Sequence, residues 1–362
     1  MPPRKNHHYV PQFLLRYFAT DEKQRTIRLY LVKAGKVVEN ASIRHQCSVD
    51  YFYGTGGELE KKFGELKGAA SKVVAALTTG EVPEPLTEEY ALFLVFVCFQ
   101  KNRTLRAAKA VATQYEAFSR VVVRAADDIV RESDHPIIPL DAPAPVDAIG
   151  LSLDIAGELA FAVQDLRLKV LVNETEEEFV TSDAPVVFHN QWSGKTGATS
   201  QGLQIFFPVS PVHMAIFYDP DIYQVGWDNG DSAAVKTVEE VRSLNFLQLG
   251  NADHAVYFRD STSAKFLTPR TKEPPAPELR RYRGPRGSGQ LVGMSAPASL
   301  DVTLVAGTIR LRTSAMLVPR KERAAMFRSE AMMMTKERDH MDSVKGSLPS
   351  GPFIQLPEAE ND

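Results

Sequence analysis

Cysteine, tryptophan and long apolar runs are all scarce in this 362-residue chain, which has two of each of the first two residue types. Cys47 and Cys98 cannot build a disulfide framework and read as ordinary thiols of a reducing compartment. The longest apolar run, Ala91 to Phe99, is too short to span a bilayer. The first residues, Met-Pro-Pro-Arg-Lys-Asn-His-His, lack the apolar core of a signal peptide. The expectation is therefore a cytoplasmic protein with no membrane partner. Charge excess is lacking too: 42 Lys and Arg against 45 Asp and Glu give a net charge of −3, so any contact with nucleic acid needs a local patch.

Standard catalytic signatures are equally scarce. Gly54-Thr55-Gly56-Gly57 lacks the lysine and spacing of a P-loop, and there is no Gly-x-Ser-x-Gly, His-Glu-x-x-His or Cys-x-x-Cys. No internal repeat is evident. What remains is a composition with 44% hydrophobic residues, enough in a chain of this length to bury a substantial core.

Periodicity predicts a mixed fold. Ile27, Leu29 and Leu31 alternate as in a strand, Ala34-Gly35-Lys36 makes a turn, and Val37 to Ile43 returns as the hairpin partner. Leu59, Phe63, Leu66, Ala70, Val73 and Leu77 recur at helical spacing before Gly80. Thr87 caps a helix with Glu88 and Glu89 in its first turn, and Tyr90 to Phe99 is apolar all round, so this helix is central and buried. Further helices are read at Ala107–Glu132, Ile149–Gln164 and Val235–Leu249. Strands are read at Leu166–Val172, Glu178–Thr181, Gly202–Phe207, Val212–Tyr218 and His254–Phe258, with a pair within Leu300–Leu311. The fold class expected is α+β, a helical N-terminal half packed on a mostly antiparallel sheet from the C-terminal half. A main domain would span 1–266, with its helical part at about 57–165 and its β-rich part at about 166–260. A flexible Pro/Gly/Arg-rich segment at 267–290 and a partly disordered extension at 291–362 would follow.

Several short motifs fall in a fixed order. They are His7-His8-Tyr9-Val10-Pro11-Gln12-Phe13, Leu59-Glu60 with Gly64-Glu65, Gln100-Lys101-Asn102-Arg103-Thr104, Ser182-Asp183-Ala184-Pro185, Pro208-Val209-Ser210-Pro211 and Leu244-Asn245. Together they resemble the bacterial domain-of-unknown-function family 4238 across residues 6 to about 260. Leu105 stands where that family usually has proline. The resemblance implies candidate residues and no reaction.

Each candidate has a structural and a functional reading. In an extended stretch His7 and His8 point oppositely, which argues against a shared metal; His8 is the general acid/base candidate, or else a surface hydrogen-bonding group. Arg103 and Gln100 lie on the apolar stripe of a buried helix. There the arginine needs either an internal partner, Asp183 or Glu65, or an anionic ligand. Asp183 ends a strand, where it is a turn acceptor or a catalytic carboxylate. Asn245 late in a helix is a polar core contact or a ligand donor. Cys98 is core, and the arginines from 280 to 286 are a solvated loop or a phosphate contact.

Two functions remain open. One is a hydrolase of nuclease or phosphodiesterase type acting on a nucleic acid or nucleotide. In it His8 and Asp183 would be catalytic, and Gln12, Gln100, Arg103 and Asn245 would bind substrate. It admits a divalent metal as cofactor without fixing one. The other is a non-catalytic ligand-binding or sensor module in bacterial defence.

Overall fold

The computed structural model describes residues 6–53, 58–132, 147–268, 279–283, 290–294, 298–305 and 307–312. The Gly54–Gly57 run, the proline-rich stretch before Asp147 and the tail from Arg320 lie outside these, as does much of the segment expected to be flexible.

The chain opens with β1 (Asn6–His8), α1 (Gln12–Tyr17), β2 (Thr26–Leu31), β3 (Lys36–Ser42) and β4 (Ser48–Asp50). Helices α2 (Glu58–Leu77), α3 (Glu88–Asn102), α4 (Leu105–Glu132) and α5 (Ala148–Ala162) follow. Then come β5 (Arg167–Asn173), β6 (Thr181–Ser182), β7 (Val187–His189), β8 (Gln204–Pro208), β9 (His213–Tyr218), β10 (Tyr223–Val225) and β11 (Ser232–Val235). The remaining elements are α6 (Val238–Asn251), β12 (Ala255–Phe258), β13 (Leu279–Arg283), β14 (Gln290–Met294) and β15 (Ile309–Leu311). The fold is mixed α+β.

Two sheets organise it. The larger has the order β11-β5-β9-β8-β7, antiparallel except for the parallel β11–β5 pair. Both its faces are covered, which is why β8 and β9 read as continuous apolar runs. Phe207, Ala215 and Phe217 point to the helical side, where Phe93 of α3 lies against Phe207 and Phe217. Phe206, Met214 and Ile216 alternate to the other side and pack with Val241, Leu244 and Leu247 of α6. Thr87 caps α3 as its sequence requires, its hydroxyl accepting from Tyr90 N–H.

The second sheet, β3-β2-β12-β6, departs from the expected division of the chain. Its β2–β3 hairpin comes from the first fifty residues and pairs with β12, more than two hundred residues later. Strands therefore occur at both ends of the sequence. The hairpin's alternating pattern reveals the strands but not their partner, since pairing is a long-range property that periodicity does not encode. Among the described residues no helix is long and apolar enough to cross a membrane.

Candidate functional site

Strand β1 pairs with β4, placing His7 opposite Val49 and His8 opposite Ser48, so the histidine doublet is split between two faces. His7 is buried; its ring stacks on Tyr53 at 5.5 Å and its Nδ1 accepts from the Tyr53 N–H at 3.1 Å. His8 is only half-buried. Its Nε2 lies 3.0 Å from the Arg44 carbonyl and 2.9 Å from the side-chain nitrogen of Gln12. That nitrogen cannot donate to Arg44 and accept from Gln12 at once, so the tautomer selects between them. Gln12 in turn accepts from Arg16 through its Oε1. Burial holds His8 below the usual imidazole range; the cations Lys67 and Arg103 act in the same direction, and the Arg44 carbonyl opposes them.

Pro11 turns the chain into α1, and α3 anchors the stretch before it. Arg103, at the C-terminal end of α3, donates from Nε to the Tyr9 carbonyl at 3.0 Å and to Gln100 Oε1 at 2.9 Å. Gln100 Nε2 donates to the same carbonyl at 3.0 Å. The first and third motifs of the sequence are thus tied to one another through a single backbone oxygen. Arg103 is 1% exposed, and Phe63 and Phe96 hold its guanidinium at 5.7 and 5.9 Å. Its Nη2 has no hydrogen-bond partner, and among the described residues it forms no ion pair. Neither acidic partner suggested by the sequence is there: Glu65 is exposed, and Asp183 is otherwise engaged.

Asp183 lies at the end of β6. Its two oxygens accept from the backbone N–H groups of Asp253 (2.9 Å) and His254 (2.7 Å), closing the turn between α6 and β12. Burial raises its pKa and those two amides oppose the rise. Beside it lies a buried string of weakly polar groups, with the Cys47 thiol 3.3 Å from the Tyr257 hydroxyl. Tyr9 faces this string, and burial, then Cys47 and Asp183, push its phenol up. Tyr9 lies at the bend directly after β1. No hydrogen bond joins Asp183 to His8, Gln100 or Arg103 among the described residues.

Asn245 is fully buried in α6; its Oδ1 accepts from Val180 N–H and its Nδ2 donates to the Glu178 carbonyl, both at 2.9 Å. Gln248 and Asn251 continue the pattern, donating to the carbonyls of Pro185, Ala184 and Val186, while Gln248 Oε1 accepts from Ser182. Three amides, three residues apart on one helix face, thus replace a missing strand along 178–186. The sequence reading singled out Asn245 alone; the Asn-x-x-Gln-x-x-Asn spacing is the signal that marks the set. Asn245→Ala should cost about 2–4 kcal/mol in urea unfolding, because it leaves a buried N–H and a buried carbonyl unpaired. A cost below about 0.5 kcal/mol would remove Asn245 from this bracing role.

The sequence reading also passed over Tyr53 and Lys67, which the fold brings to the histidine strand. Among the described residues no group of three or more His, Cys, Asp or Glu side chains is arranged to hold a metal ion. The geometry therefore gathers His8, Gln12, Gln100 and Arg103 around β1, and places Asp183 and Asn245 in the second sheet and its helix.

Comparison with curated proteins and with solved structures finds no match. Residues 6–262 match the family described as "Protein of unknown function (DUF4238)". That span holds every motif discussed above, and the chain belongs to this family.

Proposed function

We propose that the His8 side of the N-terminal strand binds a phosphate-bearing ligand, with Arg103 supplying the charge and His8 and Gln12 the neutral donors. The observation that carries this reading is the buried Nη2 of Arg103, which among the described residues has no acceptor and no carboxylate to balance it. Such a charge is costly unless paired, and the flanking rings offset only part of that cost. The groups nearby, Lys67 and a neutral His8, add donors and no negative charge. A phosphate oxygen supplies the acceptor and the negative charge that the guanidinium lacks. Gln100 and Asn245 then serve to hold backbone, and Asp183 to brace a turn. Both thiols are buried and free, which supports a cytoplasmic setting.

Hydrolysis of a nucleotide or nucleic acid is the second reading, favoured by the His8 ring. Held neutral, with Nε2 shared between a carbonyl and an amide, it can take up and return a proton. The first reading fits a sensor module, the second an enzyme.

Thermal unfolding with inorganic phosphate, AMP or a short single-stranded oligonucleotide tests the site. A ligand at one hundred times its Kd should stabilise the wild type by about 2.7 kcal/mol. His8→Gln and Arg103→Lys should each weaken binding by about tenfold or more, the loss of a charge-assisted contact. Equal shifts in all three proteins, or none in the wild type, would sink the site. Product release with and without magnesium, in wild type and His8→Ala, separates the two readings: activity indifferent to His8→Ala ends the hydrolase.

A further inference from the structure

A cleft of about 710 Å³, apart from the His8 region, is lined by residues from 189–194, 299–304 and 309–311. One wall falls beyond residue 262, outside the family match. His189, Asn190, Leu300, Val302, Leu304 and Arg310 contribute to its lining.

The backbone N–H of Asn190 donates to Ser299 Oγ at 3.0 Å, which leaves the serine proton free to point elsewhere. His189 Nδ1 lies 2.6 Å from that oxygen, and in one of the two ring tautomers it accepts the serine proton. In that tautomer the ring hydrogen sits on Nε2. That nitrogen is buried without a partner, in a residue 2% exposed. Arg310 presents the same situation: Nη2 donates to the Gly226 carbonyl at 2.8 Å, while Nη1 is buried without an acceptor. A buried donor without a partner is costly, and two residues that line this one cleft each carry such a nitrogen. The remaining lining sets the aliphatic Leu300, Val302, Leu304, Ile309 and Leu311 beside polar groups, and its one carboxylate, Asp301, is exposed.

We propose that this cleft binds a small amphipathic anion, whose oxyanion head takes the Nε2–H of His189 and the Nη1–H of Arg310 and whose apolar body lies along Leu300, Val302 and Leu304. The site is independent of the one around His8.

Arg310 carries its own reporter. Its guanidinium stacks 3.4 Å from the ring centre of Trp227, which is 83% exposed and one of only two tryptophans. Titrating the full chain with octanoate and octyl phosphate, followed by tryptophan fluorescence and by calorimetry, should give saturable binding tighter than about 1 mM. The ratio between the two identifies whether the head is carboxylate or phosphate. Acetate and inorganic phosphate, lacking the apolar body, should bind at least about tenfold more weakly. Arg310→Gln and His189→Phe should each lower affinity by about tenfold or more. Trp227→Phe should silence the fluorescence change and leave the calorimetric signal. No saturable binding of either alkyl probe, or affinity unchanged in both Arg310→Gln and His189→Phe, overturns the proposal.

Discussion

Asp183→Ala is expected to lower the stability of the fold by about 4 kcal/mol, the largest effect of any single substitution considered for this chain. The carboxylate accepts two backbone N–H groups, from Asp253 and His254, at 2.9 and 2.7 Å in a site 2% exposed. Alanine leaves both donors buried and unpaired, at about 1–3 kcal/mol each. It also frees the turn that starts β12, on which β2 and β6 both depend. Asp183→Asn retains one acceptor oxygen and places an amide N–H against the second donor, so about half the loss should remain. Urea unfolding checks this through a lowered midpoint at unchanged slope. A loss under about 1 kcal/mol for the alanine variant would contradict the bracing role and return Asp183 to the list of reactive carboxylates.

That prediction turns on a distinction the sequence does not draw. An aspartate before x-Pro at a strand end has the same residue types whether it closes a turn or attacks a substrate. What separates the two is whether its oxygens are already taken, and the partners lie seventy residues away in an irregular turn. The same holds for Arg103. Its place on a buried helix face follows from spacing to Leu92, Phe96 and Phe99, and the need for a partner follows from its charge. That the partner is the Tyr9 carbonyl, and not Glu65 or Asp183, depends on how β1 crosses α3. The helices α2 to α5 and the strands β2, β3, β5, β8 and β9 were legible because each repeats its period over several turns or residue pairs. Strands β1, β4, β7, β10 and β11 are only three or four residues long, too short for a period to emerge. Helix α1, six residues after a proline, is hidden for the same reason.

The motifs nevertheless sort themselves once the contacts are known. The His-His-Tyr-Val-Pro-Gln and Gln-x-x-Arg blocks meet at the Tyr9 carbonyl; the Ser-Asp-Ala-Pro and Leu-Asn blocks meet through the amides of α6. Tyr9 bridges the two groups, its backbone held by Arg103 and its phenol facing Cys47 and Asp183. A polar residue fixed by its contacts can thus be essential to the fold while taking no part in chemistry. Asp183 follows β6 and spends its oxygens on Asp253 and His254, whereas His8 ends β1. Among the described residues the Arg103 guanidinium, which ties these motifs together, has no ion-pair partner.

His189 gives the second large effect, and it is visible as a pH dependence. Burial alone lowers its pKa from 6.5 to about 4, and its Nδ1 lies 2.6 Å from Ser299 Oγ. For a base depressed in the folded state, the unfolded chain binds the extra proton first. The stability it confers is complete above pH 6.5 and is lost progressively as pH falls toward 4. A shift of this size corresponds to about 3 kcal/mol. Asp183 and Glu178, whose pKa values burial raises, act with the opposite sign: their contribution is present at low pH and lost on the way up. The whole-protein profile therefore mixes the two, and the histidine must be isolated by difference. His189→Phe removes the titration and the Ser299 contact together, so it should cost stability at pH 7 and much less near pH 4. The difference between wild type and variant, measured by urea unfolding across that interval, should shrink by about 3 kcal/mol. A difference that stays constant with pH would mean that His189 is protonated as readily in the folded chain as in the unfolded one. Its Nε2 would then be reaching water, and the orphaned donor on which the second cleft depends would not exist.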